Sequence, residues 1–173
     1  METTENNYRQ LVSSTTTMTS EDEMPPLVRE SLDGNIDAVK ELLRAKNVDI
    51  NISSSKDGAT PLLCASMKGH KDIVGLLLST KNIDINKSKK NEVTPLYMAT
   101  GNGHKDIVEL LLNMKSIDVN ETTKEGCTSL FIASQEGHKD IVELLLNMKN
   151  IDVNTQMNSS GDTPLSIASY KGH

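Results

Sequence analysis

A short motif recurs along the chain at a nearly constant spacing, and it restricts the possible folds more than any other feature. It reads Thr-Pro-Leu, or once Thr-Ser-Leu, and is followed each time by Gly-His. The motif ends at His70, His104, His138 and His173, at intervals of 34, 34 and 35 residues. A second motif in the same register ends at Asn51, Asn86, Asn120 and Asn154. Self-similarity with a period of roughly 20–50 residues indicates stacked repeats, so function is expected on an extended surface.

The composition limits both the core and the partners. The 173 residues include no Trp, one Phe and three Tyr, so the core must be built from Leu, Ile, Val, Ala and Met. The net charge of −6 argues against nucleic acid and anionic membranes as partners, because either would need a clustered basic face. No apolar run approaches the roughly 20 residues of a membrane span. We expect no nucleic-acid partner and no membrane partner.

The cysteines indicate a reducing compartment. Cys64 and Cys127 lie in different repeats, without a CxxC or Cys/His grouping, so neither a disulfide framework nor a zinc site is predicted. The first 24 residues contain no apolar run of the signal-peptide kind. We expect an intracellular protein, cytoplasmic or nuclear, without a cofactor or a bound metal.

Each unit carries the start and stop signals of two short helices. In one unit, Thr94 is predicted to cap the first helix and Pro95 to occupy its first position, where a missing N–H costs nothing. Gly103 ends that helix, and His104 precedes the second. Residues 1–24 are rich in Ser, Thr, Asn and Glu instead, which predicts a disordered arm.

With these residues in view, the chain resembles the ankyrin repeat. The order Gly-x-Thr-Pro-Leu, Ala, Gly-His, Ile-Val-x-Leu-Leu-Leu and Asp-Val-Asn carries the resemblance over about residues 25–173. It implies an all-α solenoid of stacked helix-turn-helix units linked by β-hairpin fingers. The units are a divergent capping repeat 25–55, repeats 56–89, 90–123 and 124–158, and a partial repeat 159–173.

Two departures from the family pattern give expectations of their own. Glu92 replaces the glycine that other units have as Gly58, Gly126 and Gly161, which predicts a different turn in that finger. The sequence ends at His173, where earlier units continue into Lys-Asp-Ile-Val and a Leu-rich helix. We therefore expect a fragment or truncated product, with further repeats or another domain downstream.

The recurring polar residues are predicted to be structural. Repeats stack about 8–10 Å apart, so the histidines cannot converge on one metal ion, and each is expected to hydrogen-bond a neighbouring loop. The repeated Asn resembles the position modified by asparaginyl hydroxylases in some ankyrin proteins, and its predicted role is to satisfy backbone groups. No nucleophile elbow, phosphate loop or His-Glu-x-x-His motif is present, so we predict no enzyme activity.

The resemblance implies that a partner contacts the finger tips and the variable positions of the first helices. Those candidate partner-binding residues are Lys56, Asp57, Met67, Lys68, Lys90, Asn91, Val93, Asn102, Lys124, Glu125, Gln135, Glu136, Tyr170 and Lys171. Basic and acidic members lie side by side, which suggests a partner of mixed charge. Tyr170 is the aromatic member and the first hot-spot candidate.

The sequence thus predicts a monomeric, non-catalytic module that binds a partner protein through a concave groove and its finger tips. The alternative is the recognition portion of a larger enzyme, ubiquitin-ligase adaptor or channel whose active domain lies beyond His173.

Overall fold

The computed structural model describes residues 24–45 and 47–173, and within them the helices follow one another in antiparallel pairs. Each pair belongs to one repeat unit, and α9 is the first helix of the fifth unit. The helices are α1 (Pro26–Asp33), α2 (Ile36–Arg44), α3 (Pro61–Lys68), α4 (Lys71–Leu78), α5 (Pro95–Gly101), α6 (Lys105–Leu112), α7 (Ser129–Glu136), α8 (Lys139–Leu146) and α9 (Pro164–Lys171). The arm predicted for residues 1–24 lies outside the described part, apart from Met24.

The threonines predicted to cap the first helices do so in the structure. The Oγ1 atom of Thr94 accepts a hydrogen bond from the Tyr97 amide at 3.2 Å, and Pro95 occupies the first turn of α5. Thr60, Thr128 and Thr163 cap their helices in the same way. Local capping therefore sets the start of each first helix from α3 onward.

The helices form two layers with the core between them. First helices pack against the first helices of neighbouring units, and second helices against second helices, while each pair also packs internally. Leu62, Leu96 and Leu130 are buried in the first layer, and Leu77 and Leu111 in the second. The alanines of α3, α5 and α7 are fully buried and allow close helix approach; they are Ala65, Ala99 and Ala133.

The fingers differ from the predicted β-hairpins. In residues 24–45 and 47–173 no strand is formed, and consecutive units are joined by tight turns. A finger has too few paired backbone groups for a ladder; in the first, Ser54 N–H donates to the Ala59 carbonyl and Gly58 N–H to the Ser54 carbonyl. The helical solenoid is confirmed, and the hairpin fingers are not.

A histidine at the start of each second helix from α4 onward joins its unit to the preceding one. His104 Nε2 lies 3.2 Å from the Met67 carbonyl oxygen, at the end of α3. The same contact repeats along the stack at 3.1–3.3 Å for His70 and His138. A carbonyl oxygen only accepts, so Nε2 must carry the proton. The prediction of a structural histidine bonded to a neighbouring unit is confirmed.

The histidine contact explains why a glycine follows the first helix of the preceding unit. Gly69 has φ +79°, and a Cβ atom there would lie 2.7 Å from His104 Cε1. Gly34 and Gly103 face His70 and His138 in the same way. Glycine is thus required both by its left-handed backbone and by the imidazole against it.

The repeated asparagine forms a second connection between units. Asn86 Nδ2 donates to the Ser116 carbonyl at 2.7 Å, and Asn86 Oδ1 accepts from the Asp118 amide at 3.0 Å. Asn51 and Asn120 make the same pair of bonds to the loops of the next units. The prediction that these residues satisfy backbone groups is confirmed.

A double-mutant cycle tests the contact between glycine and histidine. We expect Gly69→Ala to cost about 3 kcal/mol, from left-handed strain plus the clash with His104, but about 1 kcal/mol in a His104→Ala background, where only strain is left. Urea unfolding measures both values. Gly172→Ala is the control for strain, since Gly172 has φ +80° and a Cβ atom there would meet nothing within 4 Å. If the free-energy costs of Gly69→Ala and His104→Ala add up to that of the double variant within about 0.5 kcal/mol, the contact between the two residues is contradicted.

Candidate functional site

Four finger loops line one side of the stack, and we define them as residues 52–59, 87–93, 121–127 and 155–162. Two of the loops close with a short turn, in which Glu92 N–H bonds the Lys89 carbonyl and Gly126 N–H the Thr123 carbonyl. In the first and last loops the turn is one residue longer. The bond that closes the last loop, for example, runs from Gly161 N–H to the carbonyl of Met157. The additional residue accounts for the longer repeat interval at each end.

Glu92 does not change the turn, contrary to the expectation from the sequence. Its φ is +60°, close to the +77° of Gly58 and the +82° of Gly126. The finger loop has the same short turn as the Gly126 loop, and Glu92 adopts a left-handed conformation that costs a residue with a side chain roughly 1–2 kcal/mol.

Backbone hydrogen bonds join successive finger loops into a row. Lys90 N–H donates to the Asp57 carbonyl at 3.0 Å, and Lys124 N–H to the Asn91 carbonyl at 3.2 Å. Asn158 N–H continues the row with a bond of 2.9 Å to the Glu125 carbonyl. These bonds hold the Glu92 turn from both sides, because Lys90 and Asn91 immediately precede it. The tips therefore form one continuous surface.

Some candidate charges at the tips are already engaged within the stack. The Ser54 hydroxyl donates to the Asp57 carboxylate and lowers the pKa of Asp57 below its usual value, against the opposing effect of burial. Lys90 Nζ donates to the carbonyls of Ser55 and Lys56 at 3.1 and 2.6 Å. The Asp57 carboxylate consequently closes its own loop, and the Lys90 ammonium joins the first two loops, in addition to presenting charge.

The last turns of the first helices carry the other candidate residues. Their side chains differ between units, while their backbones serve the stack: the carbonyl of Met67 accepts from His104, and that of Gln135 from His173. Tyr170, at the equivalent position, is 83% exposed. The next position is exposed in each of these units and holds Lys68, Asn102, Glu136 and Lys171. Side chains can vary at Met67, Gln135 and Tyr170, whereas at the equivalent Gly101 a Cβ atom would lie 3.1 Å from Ile132 Cγ1 of the next unit.

Val93 does not lie on the surface that the sequence predicts. It is buried at the base of its finger loop, directly before the Thr94 cap, as are Ala59 and Cys127 at the equivalent positions. An apolar residue before a helix cap packs onto the helix it precedes. The recurrence of a small or apolar residue at this position is the signal that could have predicted the burial.

Tyr97 joins the candidate surface, although the sequence analysis did not include it. The pKa of Tyr97 is raised to about 12, mainly by burial and to a smaller extent by electrostatic interaction with Cys127, Glu125 and Glu136. The half-buried phenol therefore lies near both candidate glutamates, one from a finger loop and one from a first helix. This is an acidic patch beside an aromatic ring, and no single repeat contains it.

The described residues offer no geometry for a metal site. Within residues 24–45 and 47–173, no three His, Cys, Asp or Glu side chains come together to hold an ion. Cys64 and Cys127 are free and buried, and burial raises the pKa of the Cys64 thiol to about 11. Among the same residues, no helix combines the length and the hydropathy of a membrane span.

A comparison with protein families agrees with this architecture. A family model described as ankyrin repeats (three copies) matches the chain in four overlapping stretches, residues 8–89, 27–123, 76–157 and 114–173. Comparison with curated proteins gives no match.

The strained turn generates a stability prediction. We expect Glu92→Gly to raise the free energy of unfolding by about 0.5–1 kcal/mol, because relief of left-handed strain exceeds the added flexibility of the unfolded chain. The melting temperature should rise by about 3 °C in a chain of this size. Gly161→Glu is the reverse control, since Gly161 has φ +71° and open space around it, and it should lower stability by a similar amount. A Glu92→Gly variant that melts below the parent would overturn this reading of the turn.

Proposed function

Because the chain belongs to the ankyrin-repeat family, whose repeats are generally protein–protein interaction modules, we propose that it binds a partner protein through its finger loops and first-helix ends. Ankyrin repeat domains are typically non-catalytic. The proposed function is therefore capture or scaffolding rather than chemistry. We also propose an intracellular location, because two free, buried thiols favour a reducing compartment.

The proposal rests on one observation at the last turn of the first helices: the backbone makes the contact between units, and the side chains do not. The backbone of this turn accepts the histidine of the following unit, whereas the side chains of Met67 and Gln135 contribute nothing to that contact. A row of differing side chains on a regular support is what a recognition surface requires. A preorganised surface also reduces the entropy lost on binding.

The chemistry of the surface restricts the partner. Glu125 and Glu136 lie near the half-buried phenol of Tyr97, so this patch favours a partner with a basic side chain and an apolar neighbour. Tyr170 offers a large exposed ring toward the C-terminal end of the same row. We propose a partner segment that places a cation against the two glutamates and an apolar group against Tyr170.

Alanine substitution of Tyr170 tests the surface. We expect Tyr170→Ala to weaken partner binding at least tenfold, because exposed aromatic residues are typical of binding hot spots. The fold should be unaffected, since the side chain is 83% exposed. Affinity capture with the parent chain, followed by quantitative mass spectrometry against the variant, identifies the partner, and titration calorimetry then measures its affinity.

The matched control is Glu143→Ala, an exposed position on α8 of the opposite layer. It should leave capture and affinity unchanged. If Glu143→Ala reduces binding and Tyr170→Ala does not, the partner uses the second-helix side and the proposal is wrong.

A further inference from the structure

The finger loops and first helices of the three inner units are divided between two opposite charges. The loops are 52–59, 87–93 and 121–127, the helices are α3, α5 and α7, and each of these helices packs against a first helix on both sides. Up to Lys90 the charged residues of this set are five lysines and one aspartate, whereas from Glu92 onward they are four glutamates and one lysine. The division is therefore a property of the inner stack rather than of either end.

The basic half is centred beside Cys64, on α3. Burial raises the pKa of the Cys64 thiol to about 11, Asp57 adds to the rise, and Lys89 and Lys68 oppose it. The ammonium groups of Lys68, at the end of α3, and Lys89, in the finger loop of the next unit, thus lie near one buried side chain. Among the described residues neither makes a direct ion pair with a carboxylate. We define Lys68 and Lys89 as the basic patch.

The acidic half has a similar construction further along the stack. Glu125, in a finger loop, and Glu136, at the end of α7, lie near the half-buried phenol of Tyr97 in the preceding unit. Glu136 accepts a hydrogen bond from Gln135 Nε2 at 2.9 Å, and in the part of the chain that the structure describes neither carboxylate pairs with a cation. Glu125 and Glu136 are the acidic patch, and both patches are assembled from residues of different units.

The spacing of the patches sets the length of a ligand that reaches both. Lys68 and Glu136 occupy the same position two units apart, so helix-packing steps of about 8–10 Å place them about 16–20 Å apart along the stack. An extended chain rises about 3.3 Å per residue and covers this distance with about five or six residues. Asn102, at the same position in the unit between, is neutral, and its side chain donates to the Met98 carbonyl. The backbone bonds between finger loops keep both patches on one surface.

A partner segment fits this surface better than a second copy of the chain or a nucleic acid. Stable interfaces between copies have an apolar centre. Among the described residues, however, the large exposed hydrophobics lie outside the finger loops and first helices of the inner units; they are Met24, Leu146, Val153, Leu165 and Tyr170. A nucleic acid carries negative charge along its whole length, so the acidic patch would repel it.

We propose that the inner units bind an extended partner segment with opposite charges at its two ends, its acidic end on the basic patch and its basic end on the acidic patch. The inference rests on the proposed function and deepens it, because it adds an acidic anchor and a spacing to the cation expected at the two glutamates. A segment with one sign of charge is attracted by one patch and repelled by the other. The surface therefore selects a segment that carries both signs.

The test uses the full chain and three fluorescent peptides of equal length. The first, Glu-Glu-Gly-Ala-Ser-Gly-Arg-Arg, has opposite charges at its ends. The second, Gly-Ala-Glu-Arg-Glu-Arg-Ser-Gly, has the same composition with its charges together in the middle, and the third, Arg-Arg-Gly-Ala-Ser-Gly-Arg-Arg, is basic at both ends. Anisotropy at low ionic strength should show that the first peptide binds at least tenfold more tightly than the other two.

Charge reversal of the basic patch should change this order. Lys68→Glu combined with Lys89→Glu should weaken binding of the first peptide at least tenfold and make the third peptide the tightest ligand, because both patches are then acidic. The matched control is Lys81→Glu combined with Lys115→Glu, the same change in net charge at exposed lysines in the loops after α4 and α6. The control should leave the order of the three affinities unchanged.

Several results would contradict the inference: no saturable binding of the first peptide, equal binding of the first and second peptides, or an equal loss in the control and the basic-patch variant. Self-association of the chain that the basic-patch variant abolishes in sedimentation experiments would also contradict it, since a second copy would then occupy the surface. Partner capture separates the inference from the proposed function. If Tyr170→Ala reduces capture and the basic-patch variant does not, the proposed function stands and the inference fails.

Discussion

Side-chain-to-backbone hydrogen bonds across each junction are the constraint on which the rest of the stack depends. A histidine Nε2–H reaches the last turn of the preceding first helix, and an asparagine both donates to and accepts from the loop of the following unit. The histidine requires a residue without Cβ against its ring, which determines the glycine, and the glycine in turn ends the helix. Each bond contributes only about 1 kcal/mol. Because the histidine contact recurs at every junction of the described units and the asparagine contact at the first three, they set one spacing for the stack, and the core alanines and leucines pack at that spacing.

This arrangement separates stability from recognition. At Met67 and Gln135 the carbonyl belongs to the junction, while the side chain is left for other contacts. The finger loops behave similarly, because backbone bonds such as Lys90 N–H to Asp57 join the row while tip side chains differ. The surface can therefore change its chemistry from unit to unit without altering the stack. The acidic patch around Tyr97 illustrates the result, since it is assembled from two units.

The sequence predicts the features that follow from local rules or strict periodicity. The threonine caps and the left-handed glycines after the first helices lie where their spacing indicates, because each depends on residues a few positions away, although α5 takes Asn102 rather than Gly103 as its C-cap. The Glu92 turn was predicted wrongly because the bonds that hold it come from both neighbouring finger loops. Val93 was assigned to the surface by carrying over a family position, although its apolar character at the helix entry indicated burial.

Amide hydrogen exchange of the loop aspartates tests the account most directly. Asp84, Asp118 and Asp152 are exposed residues, yet each backbone amide donates to the asparagine of the preceding unit at 2.8–3.0 Å. Asp49 is the internal reference, because it occupies the same position in the first unit. We predict that the three junction amides exchange at least tenfold more slowly than Asp49, and that Asn86→Ala removes the protection of Asp118 while leaving that of Asp84. Exchange of all four amides at one common rate would contradict the claim that these side chains hold the units together.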